Sequence, residues 1–184
     1  VEGKCYPTSV TPVIEIEDAT PVQTSLTLNG NPFTSGTVLS AEGDYTLTVH
    51  ARDSAGNKAE HTVHFMIDQA GPSITVTGIE NEGKYRSSVT PVIVITDSNL
   101  EESAITLNDA YFESGTELSL DGDYVLKITA KDKAGTQSGL TLNFLIDATP
   151  PQVSISGIEN DRTYNTAVTP VIMIKDNHLR ESVV

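Results

Sequence analysis

A 79-residue internal repeat constrains this chain more than any other feature. Tyr6, Tyr85 and Tyr164 are spaced by it (85 − 6 = 164 − 85 = 79), and the phrase VTPVI opens at Val10, Val89 and Val168. Residues 36–53 (GTVLSAEGDYTLTVHARD) align without gaps on 115–132 (GTELSLDGDYVLKITAKD) with ten of 18 positions identical, and 79–100 matches 158–179 at 12 of 22. A fixed period of this size means that one supersecondary unit is reused along the chain. The phase sets the expected units: a repeat over 1–69 that lacks its opening strand, a complete repeat over 70–148, and the start of a third over 149–184. The chain reads as a fragment of a tandem array.

The repeat is built from strands. Val, Ile and Thr are frequent and Trp is absent, and β-branched side chains suit a pleated surface better than a helix. In the complete repeat, turn signals divide eight expected strands: Ser73–Thr77, Tyr85–Ser87, Pro91–Thr96, Ala104–Leu107, Tyr111–Glu113, Glu117–Leu120, Tyr124–Ala130 and Leu140–Ile146. Tyr124, Leu126, Ile128 and Ala130 fall on one face of their strand, with Val125, Lys127 and Thr129 on the other. No segment carries a sustained helical period. The expected fold class is therefore all-β, as tandem immunoglobulin-like β-sandwiches of seven to eight strands per repeat. Tyr45 and Tyr124, each after Gly-Asp, stand where a tyrosine corner belongs. Leu47 and Leu126 occupy the place of the second cysteine of a disulfide-bonded domain.

GDYTLTVHARDSAGNK, leading into Phe-Met-Ile-Asp and a Pro-led copy, resembles the bacterial Ig-like repeats of large surface proteins; DGDYVLKITAKDKAGT followed by NFLIDATPP repeats the pattern. The resemblance implies an extracellular place, on the bacterial cell surface or secreted, in proteins of adhesin, cell-wall or S-layer-associated type. It says little about activity, because its motif residues are structural.

Charge and composition exclude several classes. The balance of 11 − 25 = −14, with scattered Lys and Arg, opposes nucleic-acid binding. No apolar run approaches the roughly 20 residues of a membrane span. Cys5 is the single cysteine, so no disulfide forms within the chain, and a free thiol of no special role is the plain expectation. His61 and His64 lie three apart on a strand and so face opposite ways, His61 at the rim of the core and His64 and His50 on the wet face. No nucleophile–base signature, phosphate cradle or pocket-forming insertion is present, so no enzyme is expected.

The aspartates are the one candidate site. In a seven-stranded sandwich the loops holding Asp97 and Asp132 return to the end where the previous repeat delivers Asp68, and Asp147 with Asp176 meet likewise one repeat later. Asp18 and Asp53 are their first-copy counterparts. Convergent carboxylates at a joint suit calcium, which takes oxygen ligands. The same residues also suit turns: Asp53-Ser-Ala-Gly56-Asn57 and Asp132-Lys-Ala-Gly135-Thr136 are good hairpin loops, Asp97 can cap a turn, and no DxDxDG loop occurs. Beyond possible calcium, no cofactor is expected.

Asp68-Gln-Ala-Gly-Pro72 and Asp147-Ala-Thr-Pro-Pro151 are short, Pro-stiffened joints. They point to a stalk or spacer whose partners are its own neighbouring repeats, with a host or cell-wall glycan or protein as a further ligand. The alternative is an accessory module of a secreted polysaccharide-active enzyme. Its sugar platform would need an exposed aromatic, for which Phe33 and Phe112 are the recurrent loop candidates, although such a Phe also plugs a sandwich end.

Overall fold

The computed structural model of the chain describes residues 3–19 and 22–179, and among them strands alternate with turns and no helix occurs. The first repeat supplies β1 (Lys4–Tyr6), β2 (Val22–Leu28), β3 (Asn31–Pro32), β4 (Gly43–Asp53) and β5 (Lys58–Ile67), in one sheet of order β1-β5-β4-β2-β3. The β4–β5 hairpin runs from Gly43↔Ile67 to Arg52↔Lys58, and β1 lies parallel on the far side of β5, Cys5 opposite Met66. Asn29 and Gly30, at φ 48° and 78°, close the β2–β3 hairpin in the left-handed geometry that matches strand twist. Leu47, Phe65 and Ile67 form its buried centre, with Phe33, Leu39 and Tyr45 packed against it.

The second repeat supplies β6 (Ser73–Thr77), β7 (Gly83–Tyr85), β8 (Val92–Thr96), β9 (Leu100–Leu107), β10 (Ala110–Tyr111), β11 (Gly122–Asp132) and β12 (Gln137–Ile146). Five of these form a sheet of order β10-β9-β11-β12-β7, and β6 pairs with β8. The alternation expected on β11 is present: Leu126, Ile128 and Ala130 are buried and Val125 is exposed. One expected strand is absent. Within Glu117–Leu120 only Leu118 pairs, in a single bridge to Val89, as Leu39 does to Val10. Upstream, Thr116 N turns back to Glu113 O, and downstream Tyr124 Oη takes Leu120 O, so the flanking backbone groups are already engaged.

That second bond is the tyrosine corner. Tyr124 Oη donates to Leu120 O at 2.8 Å, and Tyr45 Oη donates to Ala41 O at 2.8 Å. Each ring stacks on the phenylalanine of the last strand of its repeat, Phe144 or Phe65, at 5.2 Å between centroids. Tyr124→Phe keeps the stack and removes the bond, and is expected to cost about 1 kcal/mol in urea unfolding. An unchanged midpoint would show that the corner contributes no stability.

The repeated VTPVI phrase joins a sheet in two of its three copies. In the second and third copies it leads into β8 and into β14 (Val171–Lys175), which pair with β6 and with β13 (Gln152–Ser156). The first copy has no counterpart of β6 in this sequence, and residues 11–18 are irregular, with Val13 69% exposed. An unpartnered strand leaves its backbone groups without a ladder, so the same sequence does not count as a strand there.

By compactness the chain divides into two units. One contains 1–75, 94–104 and 128–140, with Leu47, Phe65, Ile67, Ile128 and Ala130 buried in it. The other contains 76–93, 105–127 and 141–184, with Ile79, Val89, Ile93, Phe112, Leu126, Phe144 and Ile146 buried.

Candidate functional site

Three of the five expected aspartates meet inside the first unit. Asp68 follows β5, Asp97 follows β8, and Asp132 ends β11; one carboxylate oxygen from each lies within 4.8 Å of the other two. Asp132 is fully buried, Asp68 is buried and Asp97 half-buried. Local bonds hold each in place. Asn99 N donates to Asp97 Oδ1 at 2.7 Å, and Asn99 Nδ2 donates to Asp68 Oδ2 at 2.7 Å. Thr136 N donates to Asp132 Oδ1 at 2.8 Å, and Lys133 N donates to Asn99 O at 2.9 Å, tying the two loops together. The turn roles expected of these aspartates are therefore present alongside their convergence.

Asp132 Oδ2 is buried and has no hydrogen-bond partner. Comparison with its first-copy counterpart explains why. Asp53 has both oxygens occupied, Oδ1 by Asn57 N and Oδ2 by Asn57 Nδ2, each at 2.7 Å, and these bonds hold its carboxyl below the ordinary value. In the second copy Thr136 replaces Asn57, so the amide that would cap the second oxygen is missing. Leaving a buried polar atom without a partner costs about 1–3 kcal/mol unless something else satisfies it. Among the described residues, no ion pair involves Asp68, Asp97 or Asp132.

The second joint, inside the other unit, is built differently. Asp147 and Asp176 line one recess with Asp121. Asp176 Oδ1 accepts from His178 N at 2.7 Å, and His178 Nδ1 stands 3.4 Å from Asp147 Oδ2. His178 thus takes the position of Asn99 (99 + 79 = 178). Among the described residues no third carboxylate joins this pair in a ligand cluster; the counterpart of Asp132 would be residue 211 (132 + 79), beyond this sequence. Asp121 accepts from the Thr149 hydroxyl and from Ala148 N, which lowers its pKa.

Other candidates resolve plainly. His50, His61 and His64 are all exposed; His61, expected at the core rim, is not covered. Cys5 is a half-buried free thiol whose pKa is raised by burial and then by the Asp68 and Asp132 charges, the opposite of a reactive cysteine. Phe112 is buried and Phe33 packs on the first core, so the loop phenylalanines plug the sandwich and Phe112 offers no face to a sugar. Composition had not distinguished Tyr111, which is 84% exposed.

With sheets and corner in place, the comparison with known sequences is decisive for one stretch. Residues 33–119 match the family model of the bacterial Ig-like domain (group 3). This stretch is similar to bacterial Ig-like domains. It opens at Phe33 and ends shortly beyond Phe112, the next copy of that residue, so the Ig-like match covers little more than one period. Ig-like domains of this family are generally non-catalytic and typically extracellular or surface-borne. No curated protein matches the chain. Among solved structures it is similar to the fibronectin(III)-like modules of Clostridium thermocellum CbhA, at 13% identity and a TM-score of 0.39, over 79% of this chain and 90% of that one. It is also similar to SGBP-B of the Bacteroides ovatus mixed-linkage glucan utilization locus, solved with a mixed-linkage heptasaccharide, at 14% identity and a TM-score of 0.32, over 93% of this chain and 56% of that one. Neither likeness carries functional weight. Among the described residues no helix is long and apolar enough to cross a membrane.

Proposed function

We propose that the chain is a non-catalytic spacer, a stalk segment of a bacterial cell-surface or secreted multidomain protein. The observation that carries this reading is how the joint residues are tied down. Asp68 N donates to Tyr6 O at 3.0 Å, Gln69 N to Glu42 Oε1 at 3.1 Å and Gln69 Nε2 to Ser40 O at 3.1 Å. The second joint repeats the device: Asp147 N donates to Tyr85 O, and Ala148 and Thr149 hold Asp121. A joint bonded to the repeat before it loses the freedom of a flexible linker, and a spacer needs that property.

In the intact parent protein, replacing this segment with an unrelated rigid module of equal length should preserve function, whereas deleting it should abolish function. Loss of function on equal-length replacement would mean that the segment itself binds a ligand. The accessory-module reading retains one observation in its favour, the exposed ring of Tyr111.

A further inference from the structure

We propose that Asp68, Asp97 and Asp132 bind a single calcium ion. Acidic residues crowd many protein surfaces without holding a metal; what distinguishes this group is burial combined with an unmet oxygen. Asp132 is fully buried with Oδ2 unpartnered, Asp68 is 7% exposed, and one oxygen from each of the three lies within 4.8 Å of the others. Oxygens on opposite sides of a calcium ion with bonds of about 2.3–2.6 Å are about 4.6–5.2 Å apart, so the spacing of these three falls within the span of one ion's ligand shell.

The chemistry of the donors selects the ion class. All three ligands are carboxylate oxygens, with no imidazole or thiolate among them, which suits a hard cation. The loops are already fixed: Asn99 clamps Asp97 and Asp68, and Thr136 N holds Asp132 through Oδ1, leaving Asp132 Oδ2 unpartnered. Glu42 and Asp44 line the same recess as Asp68, Asp97 and Asn99, so the approach is acidic. Lys133, beside Asp132 in sequence, is exposed. Calcium is favoured over magnesium because it accepts irregular, loop-borne oxygen sets, while magnesium demands near-octahedral geometry and keeps its waters. Thr136 is the determinant: it leaves open the oxygen that Asn57 closes in the first copy.

The test uses the whole chain, stripped with EDTA and exchanged into chelator-free buffer. One millimolar CaCl2 should raise the melting temperature by about 5 °C or more, and titration calorimetry should give one tight site. Asp97→Asn should weaken calcium binding about tenfold or more while the metal-free protein stays folded. Thr136→Asn keeps all three carboxylates but supplies the missing amide; it should raise the metal-free melting temperature and weaken calcium binding. No calcium shift in the unaltered chain would overturn the proposal, as would an equal shift in both variants. A shift produced by magnesium alone would overturn the assignment to calcium. The spacer reading does not depend on this result, since a stalk can be stiff without an ion.

Discussion

Gly78→Ala is expected to destabilise the second repeat by about 3 kcal/mol or more. Gly78 has φ +87°, a conformation that costs an L-residue about 1–2 kcal/mol. A Cβ placed there would lie 2.3 Å from Thr90 O, and that neighbour is backbone, so the chain around β6 and β8 has to move apart. Gly115→Ala is the matched control. Its φ is +85° and its added Cβ would meet open space, so only the conformational cost applies. Urea unfolding followed by tyrosine fluorescence should rank the two variants clearly apart. Equal costs would show that the close approach contributes nothing. The same contact recurs in the third copy, where a Cβ on Gly157 would meet Thr169 O at 2.7 Å.

Leu126→Ala should produce a loss of comparable size. Leu126 is fully buried on β11, in the position that a cysteine fills in disulfide-bonded sandwiches. Without that crosslink, packing holds the two layers together, and removing a leucine from such a core costs about 2–5 kcal/mol. Val125, its neighbour on the wet face, is 43% exposed, and Val125→Ala should change stability by no more than about 0.5 kcal/mol. Both variants can be read by the same urea titration. If Leu126→Ala falls within the range of Val125→Ala, the assignment of faces on β11 is wrong.

Much of the fold was legible because it rests on local rules. Period-2 alternation placed Leu126, Ile128 and Ala130 inside, and the Gly-Asp-Tyr phrase marked a corner whose hydroxyl reaches only four residues upstream. The expected strand at 117–120 did not form because the backbone on either side was already bonded, a competition that side-chain patterns do not report. The candidate site divides in the same way. Sandwich topology alone sent the loops of Asp97 and Asp132 to the end where Asp68 arrives. It did not show that Asp132 would be fully buried with one oxygen unmet, nor that Asn99 would clamp two of the three carboxylates.

By itself, the sequence determined the 79-residue unit, the all-β class, the inward face of β11 and the short, Pro-containing joints, since each follows from periodicity or from residue identity. Only the tertiary structure decided which copy of VTPVI becomes a strand, because a strand exists only where a partner presents its own unpaired backbone. It also decided which aspartate keeps an open oxygen. Asp53 and Asp132 occupy the same point of the repeat, yet Asn57 satisfies both oxygens of the half-buried first, while full burial and Thr136 leave one oxygen of the second unmet. That difference lies in the surroundings of the carboxylate, which the identity of the residue does not encode.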